Sequence, residues 1–132
     1  MTGEEIADSD GLLRRIPPLH QPVHDQSMSG PDGRASLRPP SSAFSLRPGE
    51  RGLSFHLQSS LELAGEPLSY GCPPGEPGWA VVRIEAARIR ALGLEIVADG
   101  VPHHVLVLGL ADRSRSEQRR LQKDLAKSAR YI

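Results

Sequence analysis

Hydrophobic and polar positions along this chain fall into regular order in two stretches and lose it between them. The longer ordered stretch runs from Trp79 to Ile132. Trp79-Ala-Val-Val-Arg-Ile84 is apolar and rich in β-branched residues, which predicts a strand. From Glu85 to Leu92 the period changes. Ala86, Ile89 and Leu92 share one face at three-residue spacing, with Glu85, Arg88 and Arg90 outside it, and Gly93 closes the turn. Leu94–Ala98 predicts a second strand, Asp99-Gly100 a tight turn, and His103–Leu110 a third strand. A last helix is expected from Ser114, where Ser-Arg-Ser-Glu117 has the capping-box spacing. Its Leu121, Leu125 and Ala129 recur every four residues, and Ile132 extends the stripe. Strands 79–84 and 94–98 flank a short helical crossover, so a parallel pair with a right-handed connection is expected, and 103–110 should lie antiparallel to 94–98.

The shorter ordered stretch lies in the first half. Leu12–Ile16 reads as a short strand stopped by Pro17-Pro18, which cannot donate to a ladder. Residues 17–40 show no period and carry the turn signal Gly30-Pro31-Asp32-Gly33, which predicts a long loop. Ser41–Leu46 reads as a strand and Arg47-Pro-Gly-Glu50 as a turn. Gly52–Gln58 alternates cleanly, with Leu53, Phe55 and Leu57 on one face and Ser54, His56 and Gln58 on the other. Ser59-Ser-Leu-Glu62 has a second capping-box spacing and predicts one or two helical turns ending at Gly65, before another Pro/Gly loop over 66–78. The expected architecture is α+β: a small mixed β-sheet of about five strands, two helices and long Pro/Gly loops. Residues 1–10 are expected to be a flexible N-terminus and 11–132 a single domain, with the long Pro/Gly-rich loop at 17–40.

A chain of 132 residues is one domain by length and can bury roughly two-thirds of its unfolded surface. Aromatic residues make up only 4%, so aliphatic side chains must carry the core. Formal net charge is +0, from 16 basic and 16 acidic residues, which argues against a dedicated nucleic-acid binder. Of the basic residues 14 are Arg, a ratio that a GC-rich genome produces and that bidentate phosphate contacts also favour. Arg113, Arg115, Arg119, Arg120 and Lys123 form one basic run, which reads as a solvated helix face. Cys72 stands alone, so there is no disulfide framework and no Cys-rich zinc module, and a reducing compartment fits. The acidic start lacks the features of a signal peptide, and the longest apolar run, Val105–Leu108, is far short of the roughly 20 residues of a membrane span. A cytoplasmic protein with no membrane association is expected.

Candidate chemistry is sparse. His103 and His104 follow Pro102 at the start of a strand, a place where a fold can hold a general base or a phosphate contact. Adjacent strand residues face opposite ways, so the two imidazoles are expected on opposite faces, unable to share a metal. The plainer reading is a polar strand end with one hydrogen-bonded histidine. His20 and His24 lie four apart around Pro22 and, with His56 and Cys72, contain zinc-ligand chemistry, but no C-x-x-C or H-E-x-x-H anchors it. No metal and no cofactor are expected. Arg14-Arg15 on the first strand, followed by Ser41-Ser42, is broadly similar to ADP-ribosyltransferase-type NAD-binding sites. That resemblance implies an Arg on phosphate and a later acid, here Glu62 or Glu95, on ribose. The plainer reading is arginines on the exposed side of an edge strand. His104-Val-Leu-Val resembles the His-x-Thr element of two-histidine phosphoesterases, with Leu106 where the hydroxyl residue belongs, and His56-Leu-Gln58 lacks it as well. P-loop, dinucleotide-binding and nucleophile-elbow motifs are absent.

The succession Leu13-Arg-Arg-Ile16, Ser41-Ser-Ala-Phe44, Leu53-Ser54, Arg88-x-x-x-x-Gly93-Leu and His104-Val resembles a group of small bacterial proteins with the same spaced elements. The resemblance spans roughly residues 11–130. It implies a bacterial, cytoplasmic setting and singles out Arg14, Arg15, Ser41, Ser42, Phe44 and His104, without implying an activity. The expected function is a protein-interaction or accessory module of an operon-encoded conflict or regulatory system, with a protein partner. The alternative is a small enzyme or sensor for a phosphate-bearing ligand. In that reading Arg14 or Arg15 clamps the anion, Ser41 or Ser42 donates a hydrogen bond, and His104 acts as acid/base or as a donor to the phosphate.

Overall fold

The computed structural model describes residues 6–25 and 36–132, and the side chains of residues 24, 25 and 36 lie outside that description. The turn read at Gly30–Gly33 falls outside the described residues. The elements run β1 (Gly11–Ile16), β2 (Val23–Asp25), β3 (Ser36–Arg38), a 3-10 helix (Ser41–Phe44), β4 (Gly52–Leu57), α1 (Gln58–Ala64), β5 (Ala80–Glu85), α2 (Ala86–Ala91), β6 (Glu95–Ala98), β7 (His104–Leu108), α3 (Arg115–Ser128) and β8 (Arg130–Tyr131). The fold is α+β. Six strands form one sheet in the order β6-β7-β4-β1-β5-β8, and β2 and β3 form a separate two-stranded ribbon inside the segment read as a loop.

Every pairing in the main sheet is antiparallel, so the sheet is not mixed. The expected parallel pair of 79–84 with 94–98 does not form. β5 and β6 sit toward opposite edges with β1, β4 and β7 between them, and α2 crosses the face of the sheet. The expected β6–β7 hairpin does form, with Ile96 opposite Val107 and Ala98 opposite Val105. β1 is central rather than at an edge, paired with β4 on one side and with all six residues of β5's facing register on the other.

The two sheet faces have different covers. On one, Leu12 and Ile16 of β1, Leu53 and Phe55 of β4, Val82 and Ile84 of β5, and Val105 and Val107 of β7 pack beneath α2, α3 and the 3-10 helix. Ile89, Leu121, Leu125 and Phe44 complete this core, with Phe44 at 0% exposure. On the other face Leu13 and Val81 pack against Leu61 of α1, with Leu68, Tyr70 and Cys72 of the following loop laid over them.

Ser41–Leu46 is not a strand. Pro40 takes an extended conformation before the 3-10 helix, and the Ala43 amide donates to the Pro40 carbonyl at 3.0 Å. Ala43 and Phe44 are consecutive and both buried, which a one-sided strand cannot arrange. Ser114 caps α3 as its spacing predicts, its hydroxyl accepting from the Glu117 amide at 3.2 Å. The matching signal at Ser59–Glu62 does not cap: α1 starts at Gln58, with Leu57 as N-cap and no side-chain bond. Gly65 ends α1 in the left-handed region at φ 73°, where the sequence places the stop. Ile132 leaves the helical stripe, because the chain turns extended at Ala129 and β8 pairs with β5. Residues 6–10, part of the segment read as flexible, are tied to α2: the Ala86 and Ala87 amides donate to the carbonyls of Asp10 and Asp8 at 2.9 and 3.0 Å. Asp8 also pairs with Arg90 at 2.6 Å. No helix among the described residues is long and apolar enough to cross a membrane.

Candidate functional site: an arginine-lined concavity and a separate imidazole cluster

Arg14 and Arg15 are neighbours on β1 and therefore face opposite sides of the sheet. Arg14 is paired with Val82 and lies between Leu12 and Ile16, on the side that packs under the helices. Its Nε donates to the Ala43 carbonyl at 2.8 Å and its Nη1 to the Ser54 carbonyl at 2.9 Å. The guanidinium lies 5.7 Å from the ring centroid of Phe44 and 5.6 Å from that of Phe55. The edge-strand reading of this arginine fails: it pins the 3-10 helix to the central strands. Burial pulls its pKa down to about 10, with Glu50 opposing that fall and Arg47 and Arg15 adding to it. Even so, the group stays charged at neutral pH. No carboxylate lies within ion-pair distance of it among the described residues.

Arg14 forms part of the wall of a concavity of about 470 Å³ at the exit of β1. Arg15, Arg47, Ser42 and His20 also line it, with Glu50 as its carboxylate. The His20 ring nitrogen Nδ1 lies 3.2 Å from Ser42 Oγ, which ties the loop after β1 to the 3-10 helix. The Glu50 side chain accepts from the Arg47 amide at 2.6 Å, which closes the Arg47–Glu50 turn. The rest of the wall is apolar: Pro17, Leu19, Leu46 and Trp79. Leu19 is 77% exposed there.

Among the candidate residues named from sequence, Arg14, Arg15 and Ser42 therefore meet at one concavity. Ser41 is next to it but does not line it, and His104 is elsewhere. Glu62 and Glu95 do not line it either. His20 was visible as a histidine beside Pro22, but nothing in the sequence joined it to Ser42. Trp79, Arg47 and Glu50 were missed as site residues, because only the fold brings the 47–50 turn and the start of β5 to the end of β1.

His104 belongs to a cluster on the opposite sheet face. His56 of β4 and His104 of β7 are cross-strand partners, with ring centroids 5.7 Å apart. Tyr70 packs edge-on against both His56 and His103, at 5.2 Å in each case. The expectation that His103 and His104 face opposite ways fails because His103 precedes the strand and has φ 63°, in the left-handed region. Its carbonyl accepts from the Leu57 amide at 2.8 Å, and its Nδ1 lies 2.7 Å from Ser60 Oγ. His104 Nδ1 sits 2.6 Å from Asp99 Oδ2. Burial would raise the Asp99 pKa, but the Val101 amide and the His104 imidazole outweigh it and hold the carboxyl below its ordinary value. His56 is 8% exposed. Burial, reinforced by Arg15, His104 and His103, pulls its pKa down to about 4.

Arg15 joins the two regions. It lines the concavity, and its Nη1 donates to the Gly71 carbonyl in the loop above His56. Gly71 has φ 83°, and a Cβ there would meet Arg15 Nη1 at 2.9 Å and His56 Cε1 at 3.3 Å, so only glycine lets this loop lie so close. Burial also raises the Cys72 pKa, which Arg15 partly opposes. Among the described residues, no three His, Cys, Asp or Glu side chains are placed to hold a metal ion. The zinc set composed from sequence is dispersed: His20 lies at the concavity, His56 in the imidazole cluster and Cys72 on the loop over Leu13. No protein-family model matches the chain, and neither do the curated proteins or the solved structures compared with it.

Proposed function

We propose that this protein is a small binding module, a sensor or accessory component, that holds a phosphate-bearing small molecule in the concavity at the end of β1. One observation carries the reading. Three arginines, Arg14, Arg15 and Arg47, line a single concavity of about 470 Å³ against one carboxylate; the Arg15 guanidinium turns away to Gly71 on the other sheet face, and Arg14, the most buried, has no carboxylate partner among the described residues. A buried cation held by carbonyl oxygens and ring faces, with no carboxylate in ion-pair reach, gains from an incoming anion, since much of its desolvation cost has already been met in the fold. Ser42 and His20 add donors at the same wall. His104 lies on the other sheet face, so this reading is one of binding and assigns it no catalytic step.

Calorimetric titration with inorganic phosphate and pyrophosphate at low salt tests it. Saturable binding is expected, several-fold weaker in Arg47→Ala, whose side chain is exposed and whose loss leaves the core intact. Absence of both binding heat and thermal stabilisation at millimolar pyrophosphate would defeat the proposal.

A protein partner is a second reading, favoured by a different surface. Two apolar hollows adjoin near the chain's end, one lined by Pro22, Leu37, Ala80 and Tyr131, the other by Leu68, Trp79, Val81 and Ile132. Leu37 is 44% and Ile132 56% exposed there. An Ile132→Lys variant that retains every companion co-purified with the wild-type protein from its native host would count against that surface.

A further inference from the structure

Pocket shape and wall chemistry narrow the ligand class. Resting on the anion-binding reading above, we infer that the concavity takes a mononucleotide, a phosphate ester bearing a flat aromatic base, rather than a sugar phosphate or a free phosphate ion. Its volume of about 470 Å³ falls within the roughly 300–1,000 Å³ of small-molecule sites and far exceeds what a bare phosphate fills. The wall is divided by chemistry. Cationic and hydroxyl groups come from β1, the 3-10 helix and the following turn, and an apolar rim of Pro17, Leu19, Leu46 and Trp79 completes it. An inorganic anion or a sugar phosphate leaves that rim wet; a purine or pyrimidine covers it.

Trp79 supplies the stacking surface. It directly precedes β5, whose Ala80 is paired with Ile16, so the indole stands beside the point where β1 gives way to Pro17. Gly78 holds it there: a Cβ at that position would meet Pro18 at 3.1 Å, so the chain passes against the proline. Trp79 is partly exposed, leaving ring surface for a ligand. An indole face is the strongest side-chain platform for a base, and it accepts any base because all carry a π-face. Glu50 provides an acceptor at the same wall, suited to ribose hydroxyls.

Trp79 is the chain's one tryptophan, so indole fluorescence reports on this residue. The experiment titrates the full chain with AMP, ribose 5-phosphate and inorganic phosphate, by calorimetry and by fluorescence, in wild type, Trp79→Leu and Trp79→Phe. The expected result is fluorescence quenching by AMP only, with AMP binding about tenfold or more tighter than ribose 5-phosphate. Trp79→Leu should abolish that preference while leaving phosphate affinity unchanged, and Trp79→Phe should restore part of it. Equal affinity for AMP and ribose 5-phosphate in wild type overturns this inference but leaves the anion reading standing. Loss of inorganic phosphate binding in Trp79→Leu also overturns it, because the indole then acts through the fold. Failure of all three probes in wild type removes the anion reading itself.

Discussion

His56 should make this protein lose stability as the solution turns mildly acidic. In the folded chain its imidazole is buried beside Arg15, His104 and His103 under Tyr70, and its pKa is lowered from 6.5 to about 4. The unfolded chain has no such environment, so its imidazole takes up a proton near 6.5. Between those values the unfolded state binds more protons than the folded state, and stability falls as pH falls. The His56 contribution is therefore fully present above about pH 6.5 and is lost progressively toward pH 4. A shift of roughly two and a half units at ~1.4 kcal/mol each sets a ceiling of ~3–4 kcal/mol. About 2 kcal/mol of this should be gone between pH 7 and pH 5. With a urea slope of ~1–3 kcal/mol/M, the midpoint should move down by ~1 M over that interval. Asp99 acts lower. Its depressed carboxyl contributes stability above its ordinary pKa of 3.8 that is lost only as pH falls below it, so it does not mask the histidine's effect. Urea unfolding of wild type and His56→Leu at pH 7, 6 and 5 is the assay. The variant should show a much flatter dependence. Parallel midpoint losses in the two proteins would falsify the assignment of this acid sensitivity to His56.

Two further predictions concern the scaffold that places the site. Phe44→Ala should cost ~3–5 kcal/mol in urea unfolding, because the ring is 0% exposed and its removal leaves a cavity beside the Arg14 guanidinium; a loss below ~1 kcal/mol would mean the 3-10 helix does not anchor the core. Ser114→Ala should cost ~1 kcal/mol by exposing the Glu117 amide at the start of α3, and Ser114→Asp should recover most of it.

The imidazole cluster and the arginine concavity differ in how their geometry arises. The cluster depends on register: His56 meets His104 because β4 and β7 pair with Phe55 opposite Val105, and a slip of one residue would send His56 into the helical core. The concavity depends on termini. It forms where β1 ends, where the 3-10 helix covers the sheet and where β5 begins, three places separated by tens of residues in the chain. Arg15 touches both regions through Gly71.

Local pattern alone determined a good deal. Period-two alternation over Gly52–Gln58 gave β4 and put Leu53 and Phe55 in the helical core, but the other face is not a solvated one, since His56 is buried there too and Gln58 already belongs to α1. The apolar runs at 79–84 and 94–98 and the Ser114 cap are likewise set by interactions within a few residues, and the structure has each of them, whereas the tight turn expected at Asp99-Gly100 is a five-residue loop over 99–103 that turns at Val101–His104. Strand order was a different matter. Whether β5 and β6 pair depends on which strand buries more apolar surface against which neighbour, and β1 wins β5 along six paired positions. The same competition puts Arg14 inside and makes Ser41–Phe44 a 3-10 turn, since Phe44 reaches the core only from there. His103 leaves strand geometry because the Leu57 amide and Ser60 hold it in a left-handed turn. Side-chain periodicity speaks for contacts close along the chain. Partners 30 or more residues apart are chosen by the packing of the whole sheet, and the arginine-lined concavity is built almost entirely from those.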